Sequence, residues 1–358
     1  MIGIIMAGGK GTRLFPLTEN KPKPLVSLLG KPVIEYVKDA LVNIGIDEII
    51  LTTGYKGEGL QKIVDIWNKN SDVRFSVNQE STPMGTAGSV KLLEEKLLQT
   101  FIVASGDSVL SSDLGALVRA HKSSNAKVTM ALWEVEDPTQ FGIVGLSNMP
   151  NGNVDGNLDE GYITKFLEKP TLNQAFSNVI NAGLYIIEPE VMSHVPKDTK
   201  FDFSKELFPH LLELGLPMYG VKLDGVWFDV GTPKELIRAQ NHLVEHFESL
   251  PFGLPTGEYV DESSYIIGNS ISNSQLCRTV VSKNSIIGHD SKLIDNLVMD
   301  GAKIGNNCSI IGTIIGENVI IDDNCELTDC VIGDAVHIVA GTKMHNQKVS
   351  RNASNSTQ

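Results

Sequence analysis

The sequence predicts an α/β domain with a Rossmann-like, mostly parallel sheet, followed by a parallel β-helix. Three observations carry this. From residue 1 to about 240, short apolar runs alternate with amphipathic stretches. Strand, helix, strand in succession gives a parallel sheet covered on both faces. Pro251, Gly253, Pro255 and Gly257 then punctuate a linker. Beyond it, Ile-Gly recurs as Ile267-Gly268, Ile287-Gly288, Ile304-Gly305, Ile311-Gly312, Ile315-Gly316 and Ile332-Gly333, and apolar residues return every six positions: Val298, Ile304, Ile310, then Ile315, Ile321, Leu327. A six-residue period marks a parallel β-helix of either hand, each strand turning one side chain inward per face; sandwich strands would alternate every two residues. Shorter steps interrupt the period, which predicts irregular coils.

The expected strands are Ile2–Ala7, Glu48–Thr52, Val73–Val77, Phe101–Ser105, Val128–Trp133, Gly183–Ile187 and Met218–Leu223. The expected helices are Val33–Asn43, Leu60–Asn68, Ala87–Leu98, Leu114–Lys122, Ser204–Leu214 and Lys234–Phe247. The Asn/Gly/Asp-rich stretch 148–161 reads as a loop or hairpin connection. The division that follows is a first domain over 1–248, a linker over 249–258, a β-helix over 259–345 and a polar, disordered tail over 346–358.

Composition narrows the function classes. The 358 residues suffice for two domains. A net charge of -13 argues against nonspecific nucleic-acid binding, which depends on neutralising phosphates. No apolar run reaches the roughly 18 residues of a membrane span, and the start, Met1-Ile2-Gly3-Ile4, lacks the basic region of a secretory leader. The cysteines, Cys277, Cys308, Cys325 and Cys330, have neither CxxC pairing nor histidines at zinc spacing, so they read as small buried residues in a reducing cytoplasm.

The first strand runs into Gly8-Gly9-Lys10-Gly11-Thr12-Arg13-Leu14-Phe15-Pro16-Leu17-Thr18, then Lys21-Pro22-Lys23-Pro24. Glycines let backbone N–H groups approach an anion, and Lys10, Arg13, Lys21 and Lys23 bring cations to the same loop. An acidic chain that concentrates positive charge at the mouth of its first strand has the makings of a polyphosphate site. The loop is neither a Walker A sequence, because Lys10 is followed by Gly11, nor a dinucleotide fingerprint, because the frame Gly9-x-Gly11-x-x ends on Leu14. Two acids sit at comparable places. Asp107 ends the apolar run Phe101–Ser105 through Gly106, and Asp229 lies in Trp227-Phe228-Asp229-Val230-Gly231. An acid at a strand's carboxyl end near a phosphate loop is well placed to hold Mg²⁺.

The glycine loop, with its Gly-Gly-x-Gly-Thr-Arg-Leu and Pro-Lys-Pro elements, resembles the signature of the sugar-phosphate nucleotidylyltransferases, and the resemblance extends in order along residues 1–240. It implies transfer of a nucleotidyl group from a nucleoside triphosphate to a sugar 1-phosphate, with pyrophosphate released, and a left-handed β-helix of hexapeptide repeats behind the catalytic domain. It also implies roles. Ala7, Gly8, Gly9, Gly11, Thr12 and Arg13 hold the nucleotide, together with Glu80, Pro83, Gly85 and Thr86 of a base-reading loop. Arg13, Lys23, Asp107 and Asp229 are catalytic, the two aspartates clasping one Mg²⁺. Gly142, Glu168, Lys169 and Asn181 contact the sugar phosphate. The string Val135-Glu136-Asp137-Pro138…Phe141-Gly142-Ile143-Val144 looks most like the mannose-1-phosphate guanylyltransferase branch. Glu80 leans the same way, since a carboxylate only accepts hydrogen bonds and guanine offers two adjacent donors; Gln79 is the other candidate reader.

Alternatives are a glucose-1-phosphate uridylyl- or thymidylyltransferase, or a non-catalytic subunit sensing nucleotide-sugar. Acetyl transfer by the repeats, with His289, His337 or His345 as base, lacks a long inserted loop to clamp an acyl-coenzyme A. Stacked coils expose flat faces and an open end, so a homo-oligomer through the β-helix is expected.

Overall fold

A computed structural model describes residues 1–54, 56–247, 253–268 and 271–351. Residue 248 of the expected first domain, 249–252 of the expected linker and 352–358 of the expected tail lie outside the described residues. By compactness the chain divides into two units. The first holds Met1–Gly8, Tyr36–Gly106 and Leu110–Trp227; the second holds Gly9–Glu35, Asp107–Val109 and the chain from Phe228 on. Compactness therefore groups the glycine loop from Gly9 on, and both candidate acids, with the C-terminal repeats.

The first unit is built on nine strands: β1 (Ile2–Met6), β2 (Glu48–Thr53), β3 (Arg74–Gln79), β4 (Phe101–Ser105), β5 (Val128–Glu134), β6 (Gly142–Ser147), β7 (Glu160–Glu168), β8 (Val179–Ile187) and β9 (Met218–Lys222). Their order is β3-β2-β1-β4-β8-β5-β9-β7-β6. Only β7 and β8 run against the other strands, so the sheet is mostly parallel. Central β1 pairs in parallel on both sides, Ile4 lying opposite Ile50 and Val103. A strand buried on both faces needs an unbroken apolar run, which is why Ile4 and Ile5 are fully buried.

Helices cover the sheet through apolar stripes. In the helix Gly57–Asn70, Leu60, Val64 and Trp67 are buried at helical spacing, and Trp67 meets Phe75 of β3 with ring centroids 5.1 Å apart. The helix Leu114–Ser124 starts where Asp113 accepts the Gly115 N–H and stops at left-handed Asn125. Two expectations shift, and a third stretch takes one of its two expected alternatives. The stretch 87–98 is a short helix, Gly85–Lys91, followed by a 3-10 turn at Glu94–Lys96; the break follows Lys91, whose ammonium donates to Glu94 and to the Met192 carbonyl. β8 begins at Val179 rather than Gly183, because Gly183 takes a left-handed φ of 75° and makes a bulge within the strand instead of starting it. Residues 148–159 connect the antiparallel pair β6 and β7, the hairpin alternative for that stretch.

In the second unit the repeats close into coils of 17 residues. Val280 pairs in parallel with Leu297, Leu297 with Ile314, Ile314 with Val331 and Val331 with Lys348. Ile287, Ile304, Ile321 and Ile338 form a second ladder, and Leu293, Ile310, Leu327 and Met344 a third. The inward residues Val281, Ile287, Leu293, Val298, Ile304, Ile310, Ile315, Ile321, Leu327 and Ile332 are all buried, and they advance by six, six and five. The short steps expected to make the coils irregular thus recur once per coil: one face is a residue shorter than the other two. Corners repeat at the same interval, with left-handed Asp295, Gly312 and Asp329 on one edge and Asn307, Asn324 and Gly341 on another.

Buried corner positions satisfy the backbone of the next coil. Asn296 N–H donates to Thr279 Oγ1, Thr313 N–H to Asn296 Oδ1 and Cys330 N–H to Thr313 Oγ1. Cys308 takes the place that Ser291 has one coil earlier and donates its N–H to it. Three of the cysteines are therefore buried corner residues with free thiols, and Cys277 is half-buried. The first strand of this region, Gly257–Asp261, is antiparallel to Ser264–Ile267, and the last described strand is Lys348–Val349. Residues 346–349 hence belong to a coil, four residues past the expected boundary, because Val331 and Ile332 still offer an edge to pair with.

Candidate active site

The second unit assembles a charged cluster from three distant places. Gly11 adopts φ 62°, and a Cβ there would come within 2.7 Å of Lys23 Cβ, so the loop crosses the lysine stem only because Gly11 has no side chain. The carbonyl of Gly11 accepts the Leu14 N–H and the Thr18 hydroxyl, the latter at 2.9 Å, and Thr12–Leu14 forms one 3-10 turn. Pro22, extended at φ -69° and ψ 154°, introduces a second turn at Lys23–Leu25. Lys23 is left with a side chain only 7% exposed, and its Nζ donates to Asp107 Oδ2 at 2.7 Å and to Asp229 Oδ1 at 3.0 Å. Asp107 leads into the strand Ser108–Ser111, and Asp229 ends the strand Val226–Asp229 that pairs with it. Burial works against the ammonium, but Asp107 and Asp229 together outweigh it and hold Lys23 above the ordinary lysine range.

Exposed Arg13 completes the cluster. A Cβ on Gly231 would lie 2.7 Å from Arg13 Nη2 and 3.2 Å from Asp229 Oδ2, so the guanidinium lies across the glycine beside the aspartate. Lys10 and Thr12 are exposed on the same loop. Gly9 has no atom within 4 Å of where a Cβ would stand, and nothing in the fold demands a glycine there. Lys21 is the correction to the sequence reading. Its ammonium contacts Glu317 and lies 2.9 Å from Asp334, so it serves the coils and not the cluster.

The first unit holds the residues expected to recognise base and sugar. Ala7 is fully buried and Gly8 exposed just beyond β1. Half-buried Glu80 follows β3, and its Oε2 accepts the Met84 N–H at 2.8 Å; burial pushes its carboxyl up, opposed by that bond. Gln79 lies against Gly57, and Pro83 is exposed on the turn between. Gly85 sits against the Phe201 carbonyl, where a Cβ would be 2.6 Å away. Thr86 donates to Asp202 Oδ2 and accepts the Phe203 N–H, each at 2.9 Å. Gly85 and Thr86 therefore seat the segment 201–203, a structural task the sequence did not reveal.

The residues expected on the sugar side form one connected wall. Lys169, at a left-handed φ of 49°, donates its N–H to the Phe141 carbonyl. The Phe141 ring meets Trp227 edge-on at 5.8 Å, and Trp227 Nε1 donates to the Ala182 carbonyl at 3.0 Å. Next to Ala182, Asn181 Nδ2 donates to Tyr185 at 2.8 Å and to Ser204 at 3.1 Å, while its Oδ1 accepts the Gly183 N–H. The Asn181 amide, expected to be available for sugar hydroxyls, thus spends both donors inside the wall. A side chain on Gly142 would collide with Phe166 and lie 2.8 Å from Glu168 Oε2, so its absence makes room for those residues. Burial, with Asp202 adding to it, pushes the Glu168 carboxyl up against the opposing pull of Lys169 and Lys205. Sequence reasoning missed Trp227, Asp202 and Ser204. The signals were present: a tryptophan two residues before Asp229, and an Asp-x-Ser start to the expected helix at 204. A separate cavity of about 600 Å³, lined by Thr100, His121, Lys127 and Glu188 among others, opens at the amino-terminal ends of β1, β4 and β5 and contains none of the expected site residues.

A mostly parallel α/β sheet with a glycine–lysine loop, followed by hexapeptide coils, is the architecture of a nucleotidyl transferase family member with a repeat domain. Residues 2–246 match the nucleotidyl transferase family model, and residues 256–327 match the GlmU-like C-terminal hexapeptide model; the chain belongs to the nucleotidyl transferase family. It is 35% identical over 242 residues to the mannose-1-phosphate guanyltransferase beta-A of Xenopus laevis, covering 66% of this chain and 63% of that one. It is 32% identical to the mannose-1-phosphate guanylyltransferase catalytic subunit beta of Dictyostelium discoideum, over 74% of this chain and 73% of that one. To the mannose-1-phosphate guanyltransferase of Saccharomyces cerevisiae it is 35% identical, over 66% and 63%. The match thus spans under two thirds of the Xenopus and yeast proteins. Among the described residues, no helix is long and apolar enough to cross a membrane.

Proposed function

We propose that this chain transfers a nucleotidyl group from a nucleoside triphosphate to a sugar 1-phosphate, releasing pyrophosphate, and that GTP and mannose 1-phosphate are its substrates. The observation that carries the reading is Lys23, a buried ammonium held between two carboxylates in the unit that also holds Arg13 and the open Gly9. The attacking phosphate oxygen is already ionised at neutral pH, so the reaction needs no general base, and the cluster contains no histidine. What it needs is positive charge where two anions meet and where pyrophosphate leaves. Arg13, whose planar fork suits two phosphate oxygens, would stabilise the leaving pyrophosphate. Lys23 would neutralise the α-phosphate and the incoming sugar phosphate, and the N–H groups of Gly8, Gly9 and Gly11 would cradle the chain of phosphates. Glu168 would take sugar hydroxyls and Lys169 the sugar phosphate, with Asn181 holding the wall behind them.

Asp107 and Asp229 support magnesium as the cofactor, because each turns a hard carboxylate oxygen to the same neighbour, the Lys23 ammonium, and Mg²⁺ takes one or two carboxylates with phosphates and water completing its shell. When bound, the ion would neutralise phosphate charge. Guanine recognition rests on Glu80, whose Oε2 accepts the Met84 N–H and whose other oxygen would accept from the base, and on the relatives' names. Ile286 and Ile320 are exposed on one ladder, two coils apart with Lys303 between them, and would form part of a face for self-association through the repeats, which light scattering of the full chain tests.

Pyrophosphate release, measured with each of four nucleoside triphosphates against mannose and glucose 1-phosphates, tests the assignment. The expected result is turnover with GTP and mannose 1-phosphate, and a shift of preference toward UTP in Glu80→Gln. Turnover confined to UTP or dTTP with glucose 1-phosphate would replace the substrate assignment; nucleotide-sugar binding without turnover would make the chain a sensor.

A further inference from the structure

The loop that carries Arg13 and Lys23 has little regular structure of its own, only the two three-residue turns at Thr12–Leu14 and Lys23–Leu25. Within the same compact unit, the coils grip it at three points. Lys21, its side chain 14% exposed, contacts Glu317 Oε1 and lies 2.9 Å from Asp334 Oδ2. Lys348 Nζ donates to the Arg13 carbonyl at 3.2 Å. Gly333 faces Pro16, whose Cβ would stand 3.0 Å from a side chain placed there. The carboxylates are themselves fixed. Glu317 and Asp334 are one coil apart, and Asp334 Oδ1 accepts the Glu317 N–H at 3.0 Å, which leaves Oδ2 to Lys21. Between Lys21 and Lys23 stands only Pro22, whose ring fixes φ, so a shift of the first lysine is passed to the second with little slack.

We propose that Lys21, Glu317 and Asp334 are positioning residues for nucleotidyl transfer, and that the β-helix sets the shape of the phosphate-binding loop as well as packing beside it. The inference rests on the assignment of Arg13 and Lys23 above. Burial opposes the Lys21 charge, but Asp334 and Glu317 hold it charged above the ordinary lysine range, so the tie persists throughout the neutral range. Misplacing a reacting group by about 1 Å costs on the order of 100-fold in rate, which makes a loop anchor of this kind matter to turnover.

The test uses the full chain and the double variant E317Q/D334N, which keeps side-chain volume and removes both charges. It is compared with D107N, Lys21→Arg and Lys21→Met. Turnover is read by pyrophosphate release, and loop order by hydrogen exchange of peptides covering 9–24 and, separately, 280–340. The expected result is a 10- to 100-fold loss of kcat in E317Q/D334N and in Lys21→Met, near-normal kcat in Lys21→Arg, and faster exchange confined to 9–24. Turnover within twofold of the unmodified chain, while D107N is inactive, overturns the inference. So does exchange that quickens equally over 280–340, which would mark a merely structural role. If the unmodified chain turns over no substrate pair, the functional assignment fails instead. The exchange data then decide alone: faster exchange confined to 9–24 supports the anchor, and unchanged exchange there refutes it.

Discussion

Asn181 in the first unit and Lys23 in the second both carry donors with little access to water, and the two units satisfy them in opposite ways. Asn181 bonds neutral partners, Tyr185, Ser204 and the Gly183 N–H, and every bond holds the wall in shape. Lys23 faces two carboxylates, with the Arg13 guanidinium close by. The formal charges of those four groups cancel, yet each strong donor there would bond a phosphate as readily as its present partner. On the proposed reading, the wall on the sugar side keeps its shape because the hydrogen bonds of Asn181 are spent internally. Reaction asks for charges that are balanced but transferable.

The sharpest way to break this contrast is to remove the transferable charges. Lys23→Ala or Asp107→Ala is expected to lower turnover by about 10²–10³-fold or more, with circular dichroism still showing a cooperative melt; activity near that of the unmodified chain in either variant would end the catalytic assignment. A finer contrast lies inside the glycine loop. Gly11→Ala must adopt a positive φ and meets Lys23 Cβ at 2.7 Å, so it should destabilise the fold by about 1–3 kcal/mol. Gly9→Ala has open space and should leave the melting temperature unchanged while raising KM for the nucleotide. Equal melting shifts in the two would show that the open side of Gly9 is not a ligand's place.

The smallest expected effect is a pH dependence. Lys21 and Lys23 are both held above the ordinary lysine range by their carboxylates. A raised folded-state value stabilises fully below the unfolded value and is lost as pH rises through the folded one. Thermal melts should therefore show this contribution intact from pH 7 to 9 and fading above about 10.5. E317Q/D334N should lose less stability across that alkaline range, because its Lys21 is no longer held up.

How much of this was legible differs between regions for a physical reason. The sheet strands and the coils announce themselves through short apolar periods, because a residue's face depends on neighbours two or six positions away. Even the six, six, five rhythm stood in Val298, Ile304, Ile310, Ile315, although the short step read as irregularity until the ladders showed it recurring. The roles of single side chains were less visible. Asn181 looked free, because Ser204 is 23 positions away. Lys21 looked like one more cation of the loop, because Glu317 is 296 positions away.

By itself, the sequence determined the two architectures, the order of the motifs along the chain and the kinds of charge that could meet. Only the tertiary structure decided which charges do meet: that Lys23 reaches Asp107 and Asp229 across 84 and 206 positions, while Lys21, two residues earlier, is claimed by the coils. Periodicity is a local property enforced by backbone geometry, whereas an ion pair is enforced by proximity in space. Proximity over such separations exists only once the whole chain has packed.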